Sequence, residues 1–311
     1  MAALMTRFGV ASCLVLTVCG SPAIVAQDAT VQPQPAAIEG ARSRIYKSVD
    51  GVELRLHVFT PPNHDVAKPT PAIVFFFGGG WTSGTIGQFV LQSKHFASRG
   101  MVAVVADYRV FGRHRTSGFE AIADGKSAIR WLRAHATELG IDPNRVAAGG
   151  GSSGGHVALS AAVLDGFDEA NEDRRVSSRP NALVLFNPAV DTSPEFGART
   201  GGRAGDRLKV VFGDRGRDGS PFHHLRPGLP PMLILHGKAD TTIPYADVER
   251  FCTEANKQRN RCQLIGYEGA THGFFNPQRD EGKWYRETLL AADRFLTELG
   301  YVRGPAPDRA P

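Results

Sequence analysis

An α/β architecture, a mostly parallel sheet with helices on both faces, is predicted by three features of the chain. Short, nearly unbroken apolar runs recur at residues 71–77, 101–106 and 231–237, the pattern of strands buried on both faces. Helix-period segments alternate with them, as at Ile122, Ile129, Leu132, Ala136 and Leu139. Each run also ends in a glycine-rich or polar loop, the place where parallel sheets carry their sites. With 311 residues, 42% of them hydrophobic and 22% charged, the chain suffices for one large core of ordinary composition.

In chain order, Arg7 precedes the apolar stretch 8–18 and small residues lead to Ala26, so residues 1–26 resemble a secretory signal cleaved after Ala26. That stretch is shorter than the roughly 20 apolar residues that cross a bilayer, and no other run supplies them, so no transmembrane span is expected. Leu16-Thr17-Val18-Cys19 is a poor lipoprotein box, because Val18 sits where a small residue belongs. A secreted or periplasmic location follows as the expectation. Residues 27–42, proline-rich at 32–35, read as a linker, 43–303 as one domain, and 304–311 as a disordered tail.

Within the domain, Val52, Leu54, Leu56 and Val58 alternate with polar residues as an early strand should. The run 71–77 opens into Gly78-Gly79-Gly80-Trp81, whose glycines let the main chain curl toward a bound carbonyl and offer the N–H groups of Gly79 and Gly80 to an oxyanion. A flexible surface turn is the bland alternative, and Trp81 argues against it. The run 101–106 suits a central strand, and Asp107-Tyr108-Arg109 at its end reads as a buried structural network. The helix that follows stops at Gly140 and Pro143.

The strand Arg145-Val146-Ala147-Ala148 then runs into Gly149-Gly150-Gly151-Ser152-Ser153-Gly154-Gly155-His156 and on into an apolar helix. This is the context of a nucleophile elbow, in which small residues two before and two after the serine let strand and helix approach. Glycine spacing fits either Ser152 or Ser153. With Ser152 as nucleophile, the N–H of Ser153 points into an oxyanion hole at the positive end of the new helix. The run 231–237 leads to Asp240, a carboxylate in the loop past a buried strand. Residues 262–267 read as another strand, followed by a glycine-flanked loop that holds His272, the one histidine of ten in a suitable position. A serine hydroxyl needs a base to attack a carbonyl, and that base needs an acid to fix its tautomer. The order Ser152, Asp240, His272 is that of an α/β-hydrolase.

Four stretches make the chain resemble the α/β-hydrolase esterases, most closely those related to hormone-sensitive lipase and the bacterial feruloyl and acetylxylan (BD-FAE-like) esterases. Gly78-Gly79-Gly80-Trp81 matches the family's His-Gly-Gly-Gly-Trp loop, and Asp107-Tyr108-Arg109 its strand-end triplet. Ser152-Ser153-Gly154-Gly155-His156 is similar to its Ser-Ala-Gly-Gly-His or Asn elbow, which favours Ser152 as the nucleophile. Asp240 and His272 stand in its His-Gly-x-x-Asp and His-Gly-Phe contexts. Phe77 replaces the family's histidine before the three glycines, so packing or other groups must hold that loop. The resemblance implies a serine esterase of eight-stranded type with a small cap, acting on esterified carbohydrate such as acetyl or feruloyl groups.

Other classes fare worse. A net charge of +5 is dispersed, without basic runs or aromatic interleaving, so nucleic acid is not an expected partner. A small-molecule or polysaccharide ester is. No metal-ligand spacing or cofactor motif is present, so no cofactor is expected. A prolyl-oligopeptidase-like peptidase shares the His-Gly-x-x-Asp context, but the chain lacks the length for the usual propeller; a non-catalytic binding protein would not need all three site residues. Cys13 and Cys19 fall in the leader, while Cys252 and Cys262 either pair or remain buried thiols. The Gly-, Arg- and Pro-rich residues 191–230, with an apolar patch at 208–212, are either a cap over the site or a long surface excursion. Tyr285, Leu289, Ala292, Leu296 and Leu299 mark a final amphipathic helix.

Overall fold

A computed structural model describes residues 33–305. The expected leader 1–26, the lipid-box alternative at Cys19, the start of the linker, and residues 306–311 of the tail lie outside the described residues. Strands β1 (Arg42–Val49), β2 (Val52–Phe59), β3 (Thr70–Phe76), β4 (Val102–Ala106), β5 (Ile141–Gly151), β6 (Ala182–Phe186), β7 (Met232–Gly237) and β8 (Cys262–Tyr267) form one sheet in the order β1-β2-β4-β3-β5-β6-β7-β8. Pairs from β4 to β8 are parallel, whereas β1–β2 and β2–β4 are antiparallel. The fold is therefore the α/β-hydrolase type that the apolar runs and loop positions predicted.

The helices are α1 (Val90–Ser98), α2 (Phe111–His114), α3 (Gly118–Ala134), α4 (Ala136–Leu139), α5 (Ser153–Val163), α6 (Pro194–Thr200), α7 (Gly202–Phe212), α8 (Tyr245–Lys257) and α9 (Lys283–Glu298). The β1–β2 hairpin turns through Asp50 and Gly51, both at positive φ (49° and 75°), as a two-residue turn matched to strand twist requires. Helix α3 starts on a capping box in which Ser117 and Glu120 bond reciprocally. The helix expected to run through Leu139 breaks at His135, and Gly140, at φ 62°, ends the short α4 as a left-handed cap.

Central strands are sealed on both faces: every residue of β4, β6 and β7 is buried. Asp107-Tyr108-Arg109 does form a buried network. The Arg109 guanidinium reaches Asp124 (2.8 Å) and Glu169 (2.7 Å), and Lys47 bonds the same two acids. This ties the charged loop after α5 onto α3. Two segments expected to be loose are tied down at their described ends. Gln34 donates to Asp107 Oδ1 (3.0 Å) and accepts from Ile86 N–H (3.0 Å), and Arg99 donates to the Pro305 carbonyl (2.9 Å). Cys252 of α8 and Cys262 of β8 are disulfide-bonded, ten positions apart, and closing a loop of that size contributes roughly 3 kcal/mol in the loop-entropy account. Among the described residues no helix is long and apolar enough to cross a membrane.

The strand order reverses at β3, which lies between β4 and β5, so chain connections leave β3 and β5 in opposite directions and open a crevice past their carboxyl ends. Phe76 of β3 is paired in register with Gly150 of β5. Two residues on, Gly78 and Ser152 therefore come side by side: a Cβ on Gly78 would lie 3.3 Å from that of Ser152.

Candidate active site

Ser152 sits between β5 and α5 with φ 52° and ψ −118°, a conformation that non-glycine residues rarely hold, and its N–H is fixed by the Phe186 carbonyl (2.9 Å). The glycines around it make this turn possible. A Cβ on Gly154 would stand 2.1 Å from the Phe76 carbonyl oxygen, and one on Gly150 would stand 2.5 Å from the Gly154 backbone. Helix α5 can lie this close to β3 and β5 only because both positions lack side chains.

The structure brings Ser152, His272 and Asp240 together. His272 Nε2 accepts from the Ser152 hydroxyl (3.0 Å), and its Nδ1–H donates to Asp240 Oδ2 (2.7 Å), the tautomer that this pair of partners dictates. Asp240 Oδ1 accepts from the N–H groups of Thr242 (2.8 Å) and Ile243 (2.9 Å). Burial by itself would raise the Asp240 carboxyl, but the His272 hydrogen bond and charge, with the Ile243 N–H, outweigh it and hold the group below the usual carboxylate range. His236 braces the same loop by donating Nε2–H to the Ile243 carbonyl (2.9 Å). Ser153 is fully buried, with its hydroxyl 3.4 Å from that of Tyr108, so the two glycine registers are physically distinct.

Facing Ser152, the loop after β3 passes through positive φ at Gly79 (140°), Gly80 (61°) and Trp81 (59°). The Gly79 carbonyl is turned away from the crevice, accepting from the N–H groups of Thr82 and Ser83 (both 3.2 Å). Among the described residues the N–H groups of Gly79 and Gly80 have no acceptor, and Ser153 N–H is at the first position of α5, where no intrahelical partner exists. Three free donors thus lie around one serine, the arrangement an oxyanion needs.

Phe77 does not leave the loop unsupported. Its ring stacks on Tyr108 at 4.2 Å, the Tyr108 hydroxyl donates to the Phe77 carbonyl (2.7 Å), and Gln88 Oε1 accepts from Gly78 N–H (2.7 Å). Trp81 is buried, donates its indole N–H to His156 Nδ1 (3.3 Å) and packs edge-on against Phe212 of α7 at 5.1 Å. His156 in turn donates Nε2–H to the Gly219 carbonyl (2.8 Å). Complete burial pushes the His156 imidazole down to about 4. Unfolded, the ring would bind protons below 6.5, so its contribution to stability is present above that pH and is lost as pH falls toward 4. This corresponds to about 3 kcal/mol. Chemical denaturation should show wild type losing that much more stability across the window than His156→Asn, which keeps a polar side chain but has no proton to gain; parallel curves would refute the assignment.

Residues 191–230 are not a plain surface excursion. Ser193 caps α6, Pro194 fills its first turn, and α6 and α7 close on each other where Gly205 meets Gly197: a Cβ on Gly205 would lie 2.4 Å from the Gly197 carbonyl oxygen. This hairpin roofs a cavity of about 30 Å³ beside Ser152, lined by Trp81, Phe196, Leu208 and Ile243 among others. A second cleft, of about 510 Å³, is lined by Gly78, Gln88, Asn276 and Gln278 among others. Sequence reasoning did not find Gln88, Asn187, Asn276, His156 or His236. Only the two histidines stood in motifs, His156 as the last residue of the elbow and His236 as the first of the His-Gly-x-x-Asp stretch.

The BD-FAE family model matches residues 56–254, and the dienelactone hydrolase family model matches 221–298. Among solved structures, the apo form of esterase 2 from Thermogutta terrifontis is 45% identical, covers 86% of this chain and 98% of that one, and superposes with a TM-score of 0.82. The propionate-bound form of that esterase gives 45% identity, 86% and 97% coverage and a TM-score of 0.80. Esterase LipC of Mycobacterium tuberculosis is 32% identical over 67% of this chain and 54% of its own length. The chain thus spans a little over half of that curated relative.

Proposed function

Because the chain belongs to the BD-FAE family of α/β-hydrolases, we propose that it is a serine carboxylic-ester hydrolase in which Ser152 is the nucleophile, His272 the base and Asp240 the orienting acid. The observation that carries this reading is the unbroken line from Ser152 Oγ through His272 to Asp240, with both hydrogen bonds at 3.0 Å or less. As Ser152 attacks the ester carbonyl, its proton passes to His272 Nε2, and the oxygen that gains charge meets the N–H groups of Gly79, Gly80 and Ser153. Collapse of the adduct transfers the proton from Nε2 to the leaving alcohol and leaves the acyl group on Ser152. Water, activated by the same nitrogen, then releases the acid.

The cavity under α6 and α7 is of a size for a short acyl group, which supports acetyl esters as substrates. The cleft lined by Gly78 has room for a bulky alcohol and supports the carbohydrate-ester reading that the family resemblance implies. The signal-like sequence of residues 1–26 supports export, and with it a substrate outside the cytoplasm, as part of the same proposal. Hydrolysis of nitrophenyl acetate should exceed that of the octanoate in kcat/KM by at least about tenfold, since a methylene that the small pocket does not accommodate forfeits binding of order 1–3 kcal/mol. Acetylated xylo-oligosaccharides should be deacetylated, and a fluorophosphonate probe should label Ser152. A chain that neither turns over acetate esters nor takes up the probe would refute the proposal.

A further inference from the structure

Building on the esterase reading, the geometry points to Gln88 as a positioning residue that locks the oxyanion loop to the loop of the catalytic histidine. Gln88 lies on a 3₁₀ turn just before α1 and uses both ends of its amide. Its Oε1 accepts from Gly78 N–H (2.7 Å), and its Nε2–H donates to Asn276 Oδ1 (3.0 Å). Asn276 passes the connection on, donating Nδ2–H to the Gly273 carbonyl (2.7 Å), one residue after His272. The Gly273 N–H is held from the other side by Asn187 Oδ1 (3.1 Å), at the end of β6. The polarity of the relay is fixed: Gln88 and Asn276 each accept at one end and donate at the other, so neither can flip without losing a bond.

This arrangement does two things for the reaction. Gly78 precedes the two loop donors and is beside Ser152, so fixing its N–H sets the direction in which Gly79 and Gly80 present theirs. Clamping both sides of the Gly273 peptide holds His272 Nε2 on the Ser152 hydroxyl. Gln88 touches neither the nucleophile nor the imidazole and acts only through these loops. A misplacement of about 1 Å in such a site costs on the order of 100-fold in rate.

The test uses the full chain with Gln88→Leu, which keeps the volume and removes both bonds, and Gln88→Glu, which as a carboxylate accepts from Gly78 but faces Asn276 Oδ1 with no proton to donate. Gln88→Leu should lower kcat for nitrophenyl acetate by roughly 100-fold with KM little changed. Gln88→Glu should be similarly impaired at neutral pH, but its kcat relative to wild type should rise as pH falls and the carboxyl regains its proton; the neighbouring ionisable groups, Arg113 on the Gly84 carbonyl (2.8 Å) and His272 one residue before Gly273, are common to both proteins. Amide hydrogen exchange gives a readout independent of turnover: Gly78 and Gly273 should exchange faster in Gln88→Leu, with β6 amides unchanged. A kcat within about threefold of wild type, a pH-independent Glu-to-Gln ratio, or unaltered exchange at Gly273 would overturn the relay. Should the wild type itself prove inactive on esters, the esterase reading fails and the exchange result alone decides the relay.

Discussion

Ser152→Ala is expected to lower kcat for ester hydrolysis by about 10⁵- to 10⁶-fold, while Ser153→Ala retains activity within about tenfold of wild type. The contrast arises because the two adjacent serines point in different directions: one hydroxyl meets His272 Nε2 at 3.0 Å, and the other is buried against Tyr108. Removal of the first leaves the oxyanion donors and the binding cavities intact, so a residual rate above that of water should persist. Removal of the second keeps the backbone N–H at position 153, the group the oxyanion needs. Probe labelling should vanish in the first variant and remain in the second. Turnover that survives Ser152→Ala but not Ser153→Ala would assign the elbow to the other register.

Asp240→Asn is expected to cost roughly 10⁴-fold in kcat with little change in fold or KM. The carboxylate has two tasks visible in its contacts: Oδ1 takes two loop N–H groups and Oδ2 takes the proton of His272 Nδ1. An amide can satisfy the loop through its oxygen, but it then presents NH₂ to Nδ1. The imidazole is driven to the opposite tautomer, with its proton on Nε2, where it cannot accept from Ser152. It also loses the negative charge that would stabilise the imidazolium. A pre-steady-state burst assay would place the loss in acylation. Unchanged burst kinetics would show that another group fixes the ring.

The three site residues were legible because each lies a short, fixed distance past an apolar run, and a parallel sheet brings such positions to one edge. The relay amides were not. Gln88, Asn187 and Asn276 sit in turns where glutamine and asparagine are common for local reasons, and only the β3–β5 register and the meeting of two loops give them a shared purpose. Strand β1 is polar along most of its length, so alternation hides it, although the Asp50-Gly51 pair ahead of Val52 signals the hairpin. Strand β6 is a five-residue apolar run, too short for periodicity to separate strand from helix. In the cap, glycine-rich composition masked two helices, yet Ser193-Pro194 is a cap followed by a first-turn proline and could have marked the start of α6.

The backbone at Ser152 also restricts what chemistry this scaffold can acquire. At φ 52° a β-branched side chain collides with its own main chain, so threonine, the nearest chemical relative of serine, is barred from the elbow whatever its hydroxyl might do. Cysteine has a single γ atom and fits the same bend. A thiol variant, rather than a secondary alcohol, is therefore a replacement nucleophile that the turn will accept.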